Sequence, residues 1–183
     1  GTKDIKIVGV EKLEANIEYE IMPDRIEAGT LLCAVAITGG KVKLNKVIPE
    51  HINQILNKLE QTGCEIKIEN KCVCLKAPKK IKAVDIKTMP YPGFPTDMQS
   101  VFASILTIAK GNSVIVENIF ENRYKYVSEL KRMGAKITVE GRIAVIKGCK
   151  KLSGATVEST DLRGGAALVV AGLVAKGTTT VNK

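Results

Sequence analysis

The sequence predicts an α/β protein in which helices are buried, sheets lie outside, and similar units surround a pseudo-threefold axis. Three observations support this prediction. An aspartate precedes a long apolar run at three places, each run ends in a glycine, and a short β-type strand follows each glycine. In the first two copies an amphipathic helix and a pair of strands come next. The predicted unit is therefore βαβαββ, and repetition of such a unit gives each copy a neighbour against which it can bury its apolar face.

We expect one domain over residues 1–183, divided into three repeats. Repeat 1 covers about 9–77 and opens with residues 9–13. Repeat 2 covers about 83–147. Repeat 3 covers about 148–183, opens with residues 148–152, which are similar to 9–13, and is truncated before its second helix.

The two helices of a repeat differ in pattern. The first is apolar on nearly every side, and a helix of that kind is buried on all sides. The second carries Ile52, Ile55, Leu56 and Leu59 at helical spacing in repeat 1, with polar residues between them, so one of its faces meets solvent. We therefore expect the three apolar helices to pack against one another.

Asp24, Asp97 and Asp161 each stand where an apolar helix begins. An aspartate there acts as an N-cap, because it accepts hydrogen bonds from the first-turn N–H groups. Capping explains all three residues equally well. Asp97 alone follows a loop with three prolines within residues 89–96. Because prolines stiffen a loop, the sequence also marks Asp97 as a candidate functional carboxylate.

Parallel packing of the apolar helices would bring their N-termini to one end of the domain. Converging positive ends of helix dipoles form an anion site. Arg163 lies in the first turn of one such helix, and Arg123 follows a predicted strand. Both arginines could clamp a phosphate or a carboxylate, although ordinary surface arginines explain them as well.

Charge leaves a second function class open. The formal net charge is +9, which fits an anionic substrate or a nucleic acid. The lysines are dispersed, aromatic residues make up 4% of the chain, and Trp is absent, so a base-stacking surface is hard to build. We therefore expect no nucleic-acid partner and keep a basic RNA-associated module of similar repeat fold as the alternative.

Cysteine usage favours a cytoplasmic protein without metal or cofactor. The five cysteines are odd in number, and no secretory signal precedes them. Cys72 and Cys74 form a C-x-C pair, but a zinc site usually needs further cysteines or histidines, and His51 is the one histidine. No apolar window reaches the length of about 18 residues that spans a membrane, so we expect no membrane partner.

Four segments strongly resemble the UDP-N-acetylglucosamine enolpyruvyl transferases. They read MPDRIEAGT, PYPGFPTDMQ, IFENRYKYVSELKRMGA and LSGATVESTDLRGGAALVVAGLVAKGTT, and the resemblance extends over essentially the whole chain. It implies an inside-out α/β barrel of βαβαββ repeats around a pseudo-threefold axis, helices buried and sheets outside. Two such domains enclose the substrate cleft in that family, and this chain is similar to the C-terminal one.

The resemblance also implies an activity and a set of residues. The enolpyruvyl group of phosphoenolpyruvate passes to the 3-hydroxyl of UDP-N-acetylglucosamine, phosphate leaves, and peptidoglycan synthesis begins. Asp97 matches the aspartate that contacts this hydroxyl and takes its proton. Ile119 matches a position that contacts the sugar nucleotide, and Arg163 and Arg123 match arginines that line the anionic part of the cleft.

Other parts of that family's site have no counterpart here. The loop with its reactive cysteine belongs to the N-terminal domain, so the resemblance implies that this chain alone is inactive. A short strand-forming segment from the family's extreme N-terminus is missing too. We therefore expect exposed apolar surface on this chain and a tendency to self-associate.

Overall fold

The computed structural model of the protein describes residues 4–14 and 16–183. The helices are α1 (Arg25–Thr38), α2 (Pro49–Gln61), α3 (Gln99–Leu106), α4 (Val127–Arg132) and α5 (Leu162–Gly172). The strands are β1 (Lys41–Asn45), β2 (Glu65–Glu69), β3 (Cys72–Lys76), β4 (Ile86–Lys87), β5 (Asn112–Val116), β6 (Lys136–Glu140), β7 (Ile143–Lys147), β8 (Thr156–Glu158) and β9 (Thr180–Asn182). Short 3-10 turns precede α3 (Thr96–Met98) and α4 (Arg123–Tyr126).

The strands form a separate sheet for each predicted repeat. The first sheet has the order β1-β3-β2, the second β4-β5-β7-β6, and the third β8-β9. The strand pairs β2–β3 and β6–β7 are antiparallel, whereas β4 pairs with β5, and β8 with β9, in parallel. The second repeat therefore shows the complete βαβαββ unit, as β4, α3, β5, α4, β6 and β7.

The helices α1, α3 and α5 form the centre of the molecule. Ser100 Oγ donates to the carbonyl of Arg163 at 2.9 Å, and Ser104 Oγ donates to the carbonyl of Ala167 at 2.7 Å. Because contacts one turn apart follow the same order on both helices, α3 and α5 run parallel. The start of α1 meets the start of α3, where Thr30 Oγ1 lies 3.9 Å from Met98 Sδ. The predicted arrangement of helices inside and sheets outside is confirmed.

The prediction that all three helices are buried on every side is wrong for two of them. All eight residues of α3 are buried, because α3 lies between α1 and α5. Leu31 of α1 and Val169 of α5 are exposed by 46% and 53%. Each outer helix packs on α3 with one side and keeps another side open.

The described segments that open repeats 1 and 3, residues 9–13 and 148–152, form no strand. Residues 4–14 and 16–24 form no strand or helix, and in repeat 3 the strand is β8, which begins at Thr156. Within the described residues β1 lacks the parallel neighbour that β4 gives to β5. In the N-terminal stretch, Ile5, Ile7 and Ile17 are at least 79% exposed. The expected exposed apolar surface is present, and self-association remains a prediction.

No helix in the described ranges combines the length and the apolarity that a membrane crossing requires.

Candidate functional site

Two of the three aspartates are helix caps, as predicted. Asp24 Oδ1 accepts hydrogen bonds from the backbone N–H groups of Ile26 at 2.7 Å and Glu27 at 3.2 Å. Asp161 Oδ1 accepts from Arg163 N at 2.9 Å and Gly164 N at 2.8 Å. Both carboxylates therefore satisfy first-turn donors that would otherwise lack partners.

Asp97 does not cap its helix, so that prediction is wrong for the second repeat. The residue lies in the 3-10 turn Thr96–Met98, which puts Met98 at the cap position of α3. Among the described residues, no side chain caps this helix. Asp97 Oδ1 accepts instead from Arg123 Nη2 at 2.8 Å, and Oδ2 accepts from Arg163 Nη2 at 3.0 Å. One carboxylate thus joins two guanidinium groups from separate repeats.

Each arginine comes from a fixed element. Arg163 belongs to the first turn of α5, and its side chain is 28% exposed. Arg123 begins the 3-10 turn after β5 and is 8% exposed. Its guanidinium carbon lies 4.4 Å from the centroid of the Phe120 ring, and its Nε donates to Thr96 Oγ1 at 3.2 Å. These contacts restrict Arg123 to a single orientation towards Asp97.

The cluster is reachable from solvent. The side chain of Asp97 is 37% exposed, so water or a ligand can reach the carboxylate. Two guanidinium groups surround the Asp97 carboxylate, and Arg123 also reaches a second carboxylate, that of Glu117, through the Thr96 hydroxyl. A planar guanidinium matches a phosphate or a carboxylate, so the two arginines could bind an anion.

The starts of the three apolar helices come together as predicted, and two of them are capped. The starts of α1, α3 and α5 do meet at one end, as the Thr30–Met98 and Asp97–Arg163 contacts show. The first-turn N–H groups of α1 and α5 already donate to Asp24 and Asp161. At α1 and α5 these N–H groups are therefore occupied, whereas no described side chain caps α3.

The backbone of Ile119 is held by Glu117, a residue that the sequence did not single out. Glu117 directly follows β5 and is 1% exposed. Its Oε1 accepts from the backbone N–H of Ile119 at 2.8 Å, and its Oε2 accepts from Thr96 Oγ1 at 3.0 Å. Because the N–H of Ile119 already donates to Glu117, a ligand could contact this residue through its side chain or through its carbonyl. Ile119 as a whole is 42% exposed.

Two tyrosine hydroxyls donate hydrogen bonds to the elements that carry the site. The hydroxyl of Tyr126 donates to Gln99 Oε1 at 2.9 Å, and the hydroxyl of Tyr124 donates to the carbonyl of Ile115 at 3.0 Å. Burial raises the pKa of Tyr124 to about 12 and raises the pKa of Tyr126 well above its ordinary value. Both phenols are therefore neutral donors near pH 7 and brace the start of α3 and the end of β5.

The cysteines lie away from this cluster. All five are free thiols, and burial raises the pKa of both Cys33 and Cys64, which makes these two unreactive. Cys72 of the C-x-C pair donates to Asn45 Oδ1 at 3.2 Å. Within the described residues, no group of three His, Cys, Asp or Glu side chains could hold a metal ion.

The fold and the cluster together define a class of protein. The family profile for EPSP synthase (3-phosphoshikimate 1-carboxyvinyltransferase) matches residues 1–183, and the chain belongs to this family. Within the family, the chain is 54% identical over 182 residues to the UDP-N-acetylglucosamine 1-carboxyvinyltransferase of Desulfofundulus thermocisternus, covering 100% of this chain and 75% of the relative. It is 56% identical over 183 residues to the enzyme of that name from Trichlorobacter lovleyi, covering 100% of this chain and 43% of the relative.

Solved structures show the same fold. The enolpyruvyl transferase NikO from Streptomyces tendae matches with a TM-score of 0.75 and 23% identity over 89% of this chain and 39% of its own. EPSP synthase from Acinetobacter baumannii matches with a TM-score of 0.67 and 19% identity, with the same coverage. The chain thus spans less than half the length of these two proteins and of the Trichlorobacter lovleyi relative.

Proposed function

We propose that the chain is the C-terminal part of an enzyme that transfers the enolpyruvyl group of phosphoenolpyruvate to the 3-hydroxyl of UDP-N-acetylglucosamine. Phosphate is released, and the product enters peptidoglycan synthesis. The observation that carries this proposal is the position of Asp97 between Arg123 and Arg163, at 2.8 and 3.0 Å, in a chain with relatives of that name.

Asp97 takes the proton of the sugar hydroxyl. A carboxylate at a partly open position can lie within hydrogen-bond reach of a substrate hydroxyl, which is the geometric requirement for a general base. The two arginines bind the phosphate or carboxylate of phosphoenolpyruvate, and Ile119 contacts the sugar nucleotide. Both substrates are anions, which guanidinium groups can bind.

The arginines also hold Asp97 inactive until substrate arrives. Each carboxylate oxygen already accepts a hydrogen bond from a guanidinium group, so a substrate hydroxyl has to compete for the same oxygens. An anionic substrate competes for the same Nη2 groups. When it binds, the bonds to Asp97 weaken, and the carboxylate becomes free to act on the hydroxyl.

A second domain completes the site. The chain covers 43% of the Trichlorobacter lovleyi relative, so more than half of that protein lies outside the matching part. We assign the remaining substrate contacts and the closure of the cleft to this partner domain. A cytoplasmic location fits the five free thiols, which a reducing compartment maintains.

The test uses a full-length protein. The matching 183 residues of the Trichlorobacter lovleyi relative are replaced by this chain, and phosphate release from phosphoenolpyruvate is measured with UDP-N-acetylglucosamine present. We expect transfer, and we expect Asp97→Ala to lower kcat by about 10²–10⁴-fold, the range of general-base catalysis. Asp24→Ala, the same change at a helix cap, is the matched control and keeps most of the activity.

A loss of less than about tenfold for Asp97→Ala contradicts the role of Asp97 as general base. Salt-dependent binding of an oligonucleotide, unaffected by Asp97→Ala and without enolpyruvyl transfer, supports the RNA-associated alternative instead. The relatives and solved structures compared above give that alternative no support, because they are enolpyruvyl transferases by name.

A further inference from the structure

Glu117 is a buried carboxylate that connects three segments of the site. Its Oε1 accepts hydrogen bonds from Thr88 Oγ1 at 2.8 Å and from the backbone N–H groups of Ile119 and Phe120 at 2.8 and 3.0 Å. Its Oε2 accepts from Thr96 Oγ1 at 3.0 Å. Glu117 therefore links the residue after β4, the turn after β5 and the proline-rich loop that carries Asp97.

The hydrogen bonds between Glu117 and Asp97 have a fixed direction. Arginine has donors only, so the bond between Arg123 Nε and Thr96 Oγ1 uses a lone pair of the hydroxyl. The single proton of that hydroxyl is then directed to Glu117 Oε2. Arg123 in turn donates through Nη2 to Asp97 Oδ1 at 2.8 Å. The chain of donors and acceptors thus runs from Asp97 through Arg123 and Thr96 to Glu117.

We infer that Glu117 is a positioning residue for the transfer reaction, acting through the Thr96 hydroxyl to orient the Arg123 guanidinium and, through it, the Asp97 carboxylate. This inference rests on the proposed function. Glu117 does not touch substrate in this assignment. It fixes Thr96 as an acceptor for Arg123, because no other proton arrangement satisfies both partners of the hydroxyl.

The substitution Glu117→Gln separates this role from a structural one. Three donors face Oε1, so the amide oxygen of the substituted side chain stays on that side and keeps the bonds to Thr88 and to the backbone. The amide NH₂ group then faces Thr96 and donates to the hydroxyl, in competition with Arg123 Nε. The turn keeps its shape, and the connection to Arg123 is disturbed.

Glu129 provides a matched control. It is also buried, at 7% exposure, and its Oε2 accepts from the backbone N–H of Glu158 at 3.0 Å. Its ion-pair partner is Arg132, at 3.6 Å, rather than an arginine of the site. Glu129→Gln therefore makes the same chemical change at similar burial without touching the Asp97 cluster.

The experiment measures kcat and KM in the full-length protein described above. We expect E117Q to lower kcat by roughly tenfold, since a small misplacement of a reacting group costs up to about 10²-fold, while KM for UDP-N-acetylglucosamine changes less. We expect E129Q to keep most of the rate. Thr96→Val, which removes the hydroxyl, lowers kcat like E117Q, and Thr96→Ser, which retains it, recovers most of that loss.

The double variant E117Q/T96V gives the sharpest result. Residues that act through one chain of hydrogen bonds lose their effect together, so the kcat of the double variant equals that of either single variant. Losses that multiply, or an E117Q rate equal to that of E129Q, overturn the inference. Asp97→Ala belongs in the same series, because a small effect of Asp97→Ala with an active wild type contradicts the general-base role of Asp97 and not the connection to Glu117, whereas absence of transfer by the wild type contradicts the proposed function.

Urea unfolding of the 183-residue chain tests the connection without any activity. We expect the losses in unfolding free energy for Glu117→Gln and Asp97→Asn to be less than additive, whereas those for Glu129→Gln and Asp97→Asn add. Additive losses for the first pair overturn the inference even if the full-length protein proves inactive.

Discussion

Asp97 and Asp161 occupy corresponding places in two repeats, yet they have different partners. Asp161 accepts hydrogen bonds from two backbone N–H groups at the start of α5, and Asp24 does the same at α1. Asp97 accepts hydrogen bonds from two guanidinium groups, and no described side chain caps α3. The comparison shows that a repeated fold can form a site where one copy gives up a local cap and uses the carboxylate for contacts between repeats.

The difference originates in the loop before each helix. The proline-rich loop of repeat 2 ends in the 3-10 turn Thr96–Met98, which moves Asp97 ahead of the cap position. In this loop, Phe94 is buried edge-on against Phe102 of α3, with ring centroids 5.5 Å apart. The loop is thereby anchored to the core while the carboxylate stays open to solvent.

After Asp97 itself, the largest effect is expected at Arg163. Arg163→Ala removes one of the two guanidinium groups, and we expect kcat/KM in the full-length protein to fall by about 10²-fold, as for other preorganised electrostatic contacts. Arg163→Lys recovers only part of this loss, because an ammonium group cannot reproduce the planar contact. The control is Arg132→Ala, at a side chain 63% exposed, which keeps most of the activity. Equal activity of the Arg163→Ala and Arg132→Ala variants would contradict the assignment of Arg163 to the site.

The next effect concerns the cap at Asp161. We expect Asp161→Ala to lower the free energy of unfolding by about 1 kcal/mol, since it leaves the N–H groups of Arg163 and Gly164 without a side-chain acceptor. Asparagine is an equally good cap, so Asp161→Asn restores most of the stability. Urea unfolding curves of the chain provide the measurement. An asparagine variant as unstable as the alanine variant would show that the charge matters more than the cap.

A smaller loss is expected at Asp24. Its second bond, to Glu27 N, is longer, at 3.2 Å, and exposed, so water can replace the carboxylate more easily than at Asp161. We expect Asp24→Ala to cost about 0.5 kcal/mol, the low end for caps. The same urea titration ranks the two caps, and a larger loss at Asp24 than at Asp161 would reverse the order that burial predicts.

The effect at Tyr124 is absent near pH 7 and appears only at high pH. Burial raises the pKa of Tyr124 from 10.0 to about 12, so the unfolded chain loses this proton first. The stability from the neutral phenol is complete below pH 10 and is lost as the pH rises towards 12. We expect Tyr124→Phe to flatten the fall of the unfolding free energy between these values. A slope identical to that of the wild type would contradict the shift.

Much of the architecture could be predicted because its signals are local. The aspartate, apolar run and glycine of each repeat predict α1, α3 and α5, and the amphipathic pattern predicts α2. The similarity between residues 9–13 and 148–152 marks where repeats 1 and 3 open, but it does not predict a strand, because a strand requires a pairing partner. Which side chains of α1 and α5 face solvent depends on the elements that pack beside each helix, and the sequence periodicity carries no information about those neighbours.

The site residues also divide into those that the sequence could predict and one that it could not. Asp97, Arg123 and Arg163 could be singled out from a stiff loop, a helix start and a family resemblance. Glu117 could not, because a glutamate after a strand has no evident partner until the fold brings Thr88 and Thr96 to it. The apolar residues Val114–Val116 just before it were the available signal, since a carboxylate directly after a buried strand needs donors.

The central claim is that Asp97 acts as a charge between two arginines and not as a cap. The unfolding free energies of Asp97→Ala and Asp97→Asn, measured in urea on the same chain, test it most directly. Because an amide cannot balance two guanidinium groups, we expect both variants to lose about 1 kcal/mol, with exposure of the carboxylate limiting the size. Recovery of most of that loss by asparagine, as at a helix cap, would contradict the account.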